Sequence, residues 1–376
     1  MAKILAVDDN EDNVFLLKVI LENHQHTVLP AYNGAQALEL AANNQIDLVL
    51  LDLMMPEMNG MEVAARLKSM ESTKHVPIIL LTAKKKEVKD VVAALDSGAD
   101  EYITKPFHET ELVARVKSML RMKQLFDQIA LANRLMEEDL KTAQNVQAQI
   151  LPTTYPYFDK IRINAYYEAT SSLGGDYYDV LDYGNGKVGL LIADVSGHGA
   201  SAALIVSMIK TIMISNMDAD PDPKKISELL NLRMMSLIPE DRYFTMFLGI
   251  VDLNTKRMTY ARAGHPYPFL LRKATGKVTR LEAKGDIMGL FPDVTVDNGV
   301  VDLEIGDRLF AYSDGLFEIA NAQGEMFGMD RLQTELETHS SLDGDSLIKY
   351  LIGVTRMFSG QQTLEDDVAV LLAELI

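Results

Sequence analysis

Between Glu111 and Leu151 the chain holds neither glycine nor proline, and Pro152 ends the run. Met119, Met122, Phe126, Ile129, Asn133, Met136, Leu140, Ala143, Gln147 and Ile150 fall three and four residues apart in alternation, the spacing of a coiled-coil seam. Helix formers fill the remaining faces. The spacing predicts one long helix joining two halves of the chain. Asn133 and Gln147 occupy seam positions, where a buried amide costs stability but fixes register and strand number. The stretch reads as a parallel helix through which two copies dimerise, with a helix packed on its own domains as the alternative.

A chain of 376 residues is long enough for two or three domains, each with its own core. The net charge of -18 argues against binding the nucleic-acid backbone by bulk charge. Lys84-Lys85-Lys86 is the one local basic run and reads as a solvated helix start. Without cysteine there is no disulfide, thiolate nucleophile or zinc-thiolate site, which suits a reducing cytoplasm. No apolar stretch approaches the ~20 residues of a membrane span. The expectation is a cytoplasmic protein with neither nucleic acid nor membrane as a partner.

In the first half, Lys3–Val7, Thr27–Ala31, Asp47–Leu51, Ile78–Leu81 and Glu101–Thr104 read as strands with amphipathic helices between them. That alternation predicts a doubly wound parallel sheet, whose sites form where strands end. Those ends carry Asp8, Asp9, Asp52, Thr82 and Lys105. Three crowded carboxylates repel unless a divalent cation sits among them. Magnesium suits the place, because it binds one or two carboxylates and keeps water for a phosphate.

Val7-Asp8-Asp9-Asn10, Leu51-Asp52-Leu53-Met54-Met55-Pro56 with Gly60, Leu81-Thr82-Ala83 and Thr104-Lys105-Pro106-Phe107 resemble the response-regulator receiver domain. The resemblance implies a flavodoxin-like five-stranded fold over residues 1–120, with a connector at 121–151. By it Asp52 is the phosphoacceptor, and Asp8, Asp9, Asp52 and the Met54 carbonyl hold Mg²⁺. Thr82 and Lys105 read the phosphate, Tyr102 matches the aromatic switch residue, and Lys105-Pro106 is a candidate cis bond. The phosphodonor implied is a sensor histidine kinase or phosphotransfer protein.

After Pro152, strands are expected at Ile161–Tyr167, Lys187–Asp194, Tyr243–Asp252, Arg257–Ala261, Tyr267–Arg272, Arg308–Ser313 and Asp367–Leu372. Helical runs are expected at Gly199–Asn216, Pro223–Leu237, Met329–Glu337 and Ser346–Phe358. This grouping predicts two stacked antiparallel sheets flanked by helices. Gly174-Gly175-Asp176, Ala193-Asp194-Val195-Ser196-Gly197-His198-Gly199, Ser313-Asp314-Gly315 and Glu365-Asp366-Asp367 place acids beside small residues at strand ends. An all-oxygen site of this kind selects a hard cation, Mg²⁺ or Mn²⁺. The Gly-Gly-Asp opening alone also fits the diguanylate cyclase signature, but the Tyr177-Tyr178-Asp179 that follows does not.

These motifs, with Ala263-Gly264-His265-Pro266, Met288-Gly289-Leu290 and Phe327-Gly328, resemble the SpoIIE-type branch of the metal-dependent serine/threonine protein phosphatases, the PPM family. The resemblance implies an α-β-β-α sandwich over residues 152–376 with two Mn²⁺ or Mg²⁺ ions. Asp194 would bridge them and the Val195 carbonyl would be a backbone ligand. Asp314 and Asp366 would complete one shell, and Asp176 would serve directly or through water. Whether Asp366 or Asp367 faces the metals stays open until the strand register is known.

The reaction implied is hydrolysis of phosphoserine or phosphothreonine by metal-activated water. His198 and His265 are candidates for protonating the leaving oxygen, with a structural role in their glycine-rich turns the favoured reading. Ala369 stands where the family commonly has Thr or Ser, and Tyr267 replaces a frequent second Pro; neither change removes a ligand. The substrate implied is a phosphorylated STAS-domain anti-sigma-factor antagonist. The rival readings are a metal-free adaptor that keeps the fold, and a dimeric scaffold with vestigial catalysis.

Overall fold

The computed structural model describes every residue except 84–97, 153, 158, 218–220 and 361–365. The Lys84 to Lys86 run, the helix expected between the fourth and fifth strands, and Glu365 lie outside the described residues. The chain divides into two compact units, Met1–Met136 and Glu137–Ile376.

In the first unit β1 (Lys3–Val7), β2 (Thr27–Ala31), β3 (Leu48–Asp52), β4 (Ile78–Ala83) and β5 (Glu101–Lys105) form a parallel sheet in the order β2-β1-β3-β4-β5. Successive side chains feed opposite faces. Leu5, Val7, Val49, Leu51, Ile78 and Leu80 pack with α2 (Gly34–Asn43) and α3 (Gly60–Ser69). Ile4, Ala6, Leu48, Leu50, Ile79 and Leu81 pack with α1 (Glu11–Asn23) and the start of α4 (Glu109–Ala148). Burial on both faces explains why β1, β3 and β4 read as near-continuous apolar runs. Each of α1, α2 and α3 starts at an asparagine cap, and Asn59 with Glu62 closes a capping box. At Gly60 a Cβ would lie 2.3 Å from the Asp52 carbonyl, so only glycine lets α3 start against the end of β3.

Helix α4 is continuous from Glu109 to Ala148. Leu112, Val113 and Val116 are buried in the first unit, whereas Met122, Phe126, Ile129 and Met136 of the expected seam are exposed in the single chain. The seam reading fails at Gln147. Its amide is buried within its own chain, bonded to Gly174, because the helix end lies on the second unit's core beside Ile150.

The second unit holds two five-stranded sheets. One has the order β13-β10-β9-β8-β7, from Asn298–Asp302, Arg257–Ala263, Phe244–Asp252, Lys187–Val195 and Asp176–Gly184. The other has the order β12-β11-β14-β15-β6, from Val278–Arg280, Phe269–Leu271, Arg308–Tyr312, Val368–Leu375 and Ile161–Glu168. Paired strands in both are antiparallel. Val188, Leu190 and Ile192 of β8 meet Leu309, Ala311, Ala369 and Leu371 of β14 and β15 in the core between the sheets. Helices α5 (Ala200–Ser215) and α6 (Pro223–Met234) cover the outer face of the first sheet. Helices α7 (Gly328–Thr338) and α8 (Gly344–Ser359) cover that of the second. The layers are α-β-β-α.

Strand β7 has no counterpart in the expected strands. Its Asp-Tyr-Tyr-Asp run reads as polar, yet Asp179 is buried. Asp179 takes hydrogen bonds from Tyr177 Oη at 2.5 Å and Lys210 Nζ at 3.1 Å. A carboxylate is tolerated there because partners from a strand neighbour and from α5 satisfy it.

Candidate functional site

In the first unit the parallel order brings the ends of β1, β3, β4 and β5 to one edge. Asp8 and Asp52 are buried there and Asp9 is exposed at the rim. Lys105 Nζ stands 2.6 Å from Asp8 Oδ2 and 2.5 Å from Asp52 Oδ1. The Asn13 amide donates to both Asp8 oxygens at 3.0 and 3.2 Å, and Met54 N–H donates to Asp52 Oδ2 at 2.9 Å. Burial, more than the neighbouring Asp8, pushes the Asp52 carboxyl above the usual range, and Lys105 opposes it. Burial by itself would lower Lys105, but its bonds to Asp52 and Asp8 hold it above the ordinary lysine value.

Thr82 Oγ is buried with no hydrogen-bond partner among the described residues. Thr82 follows Leu81, the register partner of Asp52, and precedes Ala83, the partner of Lys105, and an orphaned hydroxyl at this strand end fits a phosphoryl oxygen that would complete it. Tyr102 is half-buried against the α2–α3 side of the sheet, and Lys105-Pro106 is cis. A cleft of about 350 Å³, lined by Asp8, Asn13, Leu81, Lys105, Pro106 and Phe107, opens beside the carboxylates.

In the second unit the acids come from both sheets. Asp176 starts β7 and is paired in register with Asp194 near the end of β8, so the two side chains share a face. Asp314 opens a 3₁₀ turn directly after β14, and Asp366 and Asp367 lead into β15, the antiparallel neighbour of β14. Ser313 Oγ donates across the sandwich to Asp176 Oδ2 at 2.5 Å, and Gly175 N–H donates to Asp367 Oδ2 at 2.7 Å. These two bonds hold the sheet ends together.

Burial, then Asp314, Asp366, Asp367 and Glu318, raises Asp194 to about 7. Burial, then Asp366 and Glu318, raises Asp314 to about 6. Asp176 lies well above the carboxylate range, from burial first and Asp194 next. Burial and Asp367 raise Asp366, which is exposed at the rim, and His198 draws it down. After burial, every group that raises these carboxyls is another acid, and a hard cation would relieve that repulsion.

Among the described residues no three acidic or histidine side chains close into a metal cage. The buried Tyr167 hydroxyl, with no partner among the described residues and Asp367 and Asp176 nearby, is a further polar atom facing this end.

The close approach of backbone is enforced by glycine. At Gly175 a Cβ would lie 2.6 Å from the Val195 carbonyl, and at Gly315 one would lie 2.1 Å from the Asp367 carbonyl. Asp366 and Asp367 divide their work. Asp367 is buried and accepts from Thr170 N at 2.8 Å, Thr170 Oγ1 at 3.0 Å and Gly175 N. Asp366 is exposed, accepts from Asp367 N–H at 2.8 Å, and its charge raises Asp194 and Asp314. His265 is buried, bonded through Nδ1 to Thr245 Oγ1 at 2.8 Å, and burial pushes it down to about 3, so it stays neutral. His198 is exposed.

The family described as "Stage II sporulation protein E (SpoIIE)" matches residues 184–376, just over half of the chain. This chain belongs to the SpoIIE family. Residues 4–117 match the family described as "Response regulator receiver domain". The SpoIIE-family unit has the fold of the SiaA-PP2C domain of Pseudomonas aeruginosa, with a TM-score of 0.57 at 19% identity over 66% of this chain and 99% of that one. It also has the fold of the PP2C phosphatase domain of SpoIIE from Bacillus subtilis, with a TM-score of 0.50 at 22% identity over 59% of this chain and 64% of that one.

The transcriptional regulatory protein CpxR of Escherichia coli is 46% identical over 121 residues, 32% of this chain and 50% of that protein. Response regulator ArlR of Staphylococcus saprophyticus is 40% identical over 139 residues, 37% of this chain and 61% of that protein. The match thus spans half to about three fifths of these curated relatives. Among the described residues no helix is long and apolar enough to cross a membrane.

Proposed function

We propose that this chain is a two-component response regulator whose output is metal-dependent dephosphorylation of phosphoserine or phosphothreonine on a protein. The observation that carries the reading is the set of carboxylates from β7, β8, β14 and β15 at one end of the sandwich, each raised by burial and by the other acids. When bound, two Mn²⁺ or Mg²⁺ ions would supply an activated water and stabilise charge on the phosphoryl oxygens. Asp194, Asp176, Asp314 and Asp366 would hold them, with the Val195 carbonyl beside Gly175. Asp367 fixes Gly175 and Thr170 and keeps Asp176 in place. His265 stays neutral and orients Thr245 across from Asp194, leaving exposed His198 the better placed of the two to donate a proton to the departing serine oxygen.

In the other unit Asp52 would accept a phosphoryl group from a sensor histidine kinase or phosphotransfer protein. Asp8 and Asp9 would hold Mg²⁺ with the Met54 carbonyl, and Lys105 and Thr82 would bind the phosphate oxygens. Tyr102 would report the change. The exposed Met122, Phe126, Ile129 and Met136 of α4 support a homodimer through that helix. The substrate of this reading is a phosphorylated STAS-domain anti-sigma-factor antagonist in the cytoplasm.

Phosphate release from a phosphoserine protein with Mn²⁺, compared between the natural chain and Asp194→Asn, tests the reading. Release by the first and none by the second is expected. Equal rates leave the metal-free adaptor standing.

A further inference from the structure

Arg242 lies just before β9, and its Nη1 donates to the Ser196 carbonyl at 2.7 Å. The turn beneath it is fixed. Ser196 N–H donates to the Tyr243 carbonyl at 2.9 Å, and Tyr243 N–H donates back to Ser196 Oγ at 3.0 Å. Gly197 has φ +82°, which favours glycine, and a Cβ there would lie 1.9 Å from Arg242 Nη1, so any side chain would push the guanidinium aside. The guanidinium lies in the space that a Cβ at 197 would enter. On the opposite side, the Gly197 carbonyl stands 3.0 Å from the Cβ position of Gly175, the residue before Asp176. Arg242 thus rests on the turn that links Asp194 and Val195 to the Asp176 segment.

Its partners differ from those of several arginines of this unit, though Arg308, too, bonds carbonyls alone among the described residues. Arg272, Arg280 and Arg356 are each paired with a carboxylate. Arg262 spends its donors on the His265 and Ala283 carbonyls and stacks on Tyr267. Among the described residues Arg242 has no ion pair, and of its five N–H donors the Ser196 carbonyl takes one. A half-buried cation seated on the turn that follows Asp194 and Val195, with four of its N–H donors unused among the described residues, can take an anion that arrives from outside.

We propose that Arg242 binds the phosphoryl oxygens of the substrate and of product phosphate, with Gly197 as the residue that makes room for it. The proposal rests on the phosphatase reading of the acid cluster. A phosphate dianion entering among carboxylates is repelled unless positive charge meets it. The planar guanidinium fork, already oriented by its Ser196 bond, matches two phosphate oxygens. Lysine offers charge without the fork. Glutamine can keep the Ser196 bond without the charge.

The test is calorimetric titration of inorganic phosphate into the full chain loaded with Mn²⁺, beside the kinetics of phosphoserine-protein hydrolysis. Arg242→Gln is expected to weaken phosphate binding roughly tenfold or more, the loss of one charge-assisted hydrogen bond, and to raise KM in step. Its Mn²⁺ uptake and melting temperature stay at the natural values, and Arg242→Lys recovers part of the affinity. Gly197→Ala, which displaces the guanidinium without removing its charge, weakens phosphate binding as well. Natural phosphate affinity in Arg242→Gln overturns the proposal, as does a loss that appears only together with lost Mn²⁺ uptake or a lowered melting temperature. A natural chain that binds phosphate but hydrolyses nothing rejects the phosphatase reading while leaving Arg242 as an anion ligand; one that hydrolyses the phosphoprotein but binds no phosphate overturns the proposal and leaves the phosphatase reading standing.

Discussion

The side-chain amide of Gln147 satisfies both backbone polar groups of Gly174, donating to its carbonyl at 2.7 Å and accepting from its N–H at 3.2 Å. Gln147 ends the long helix α4, and Gly174 leads directly into Gly175 and Asp176. The helix end and an acid of the candidate site are therefore joined through two hydrogen bonds and two peptide units. Gln147→Ala leaves a buried N–H and carbonyl without partners, at a cost of about 1–3 kcal/mol. A lower melting temperature and weaker Mn²⁺ uptake by calorimetry are expected. If neither changes, the clamp does not position Asp176.

Metal and pH should be coupled with a definite sign. Asp194 at about 7 and Asp314 at about 6 lie above the ordinary carboxylate value in the metal-free fold. The folded state then holds protons that the unfolded state has lost, so these groups reduce metal-free stability as pH rises from about 4 through 7. A bound cation takes the place of those protons. His265 acts in the opposite sense: its folded value of about 3 lies below its ordinary one, so its contribution is lost as pH falls below about 6.5. The rise in melting temperature on adding Mn²⁺, rather than the melting temperature itself, isolates the acids. That rise should be clearly larger at pH 8 than at pH 5.5 and vanish with chelator. An equal rise at both pH values contradicts the account.

The neighbouring acids Asp366 and Asp367 should separate in opposite ways. Asp367→Asn weakens an acceptor for Thr170 and Gly175 in a buried place, and a loss of about 1–3 kcal/mol follows from its unsatisfied partners. Asp366→Asn removes a repelling charge from the rim, so metal-free stability holds or rises slightly while Mn²⁺ affinity falls. Thermal melts and calorimetry on the two variants check this. The reverse pattern would exchange their roles.

How far the chain could be read beforehand depended on what each residue faces. The central strands of the first sheet were legible because both faces are buried, which makes residues 48–51 an unbroken apolar run. The α-β-β-α grouping was legible from where strands and helices cluster. Strand β7 was not, since its buried Asp179 is tolerated only through Tyr177 and Lys210, partners that no local pattern announces. Gln147 fitted a seam spacing, yet that spacing is blind to whether the neighbour is another helix or the chain's own Gly174. Asp366 and Asp367 were indistinguishable until the loop that carries Thr170 and Gly175 came into place. Ser313 was legible as a small neighbour of Asp314 and its bond to Asp176 was not, and Arg242 carried no signal, because each acts on a residue far away in sequence.

The most direct measurement of the whole account is the rate of phosphate release from a phosphoserine protein, with Mn²⁺, before and after acetyl phosphate treatment of the full chain. A several-fold change is predicted, corresponding to coupling of about 1–3 kcal/mol between the two units, and Asp52→Asn should abolish the change while keeping the basal rate. An identical rate in both states, or a change that persists in Asp52→Asn, would contradict it.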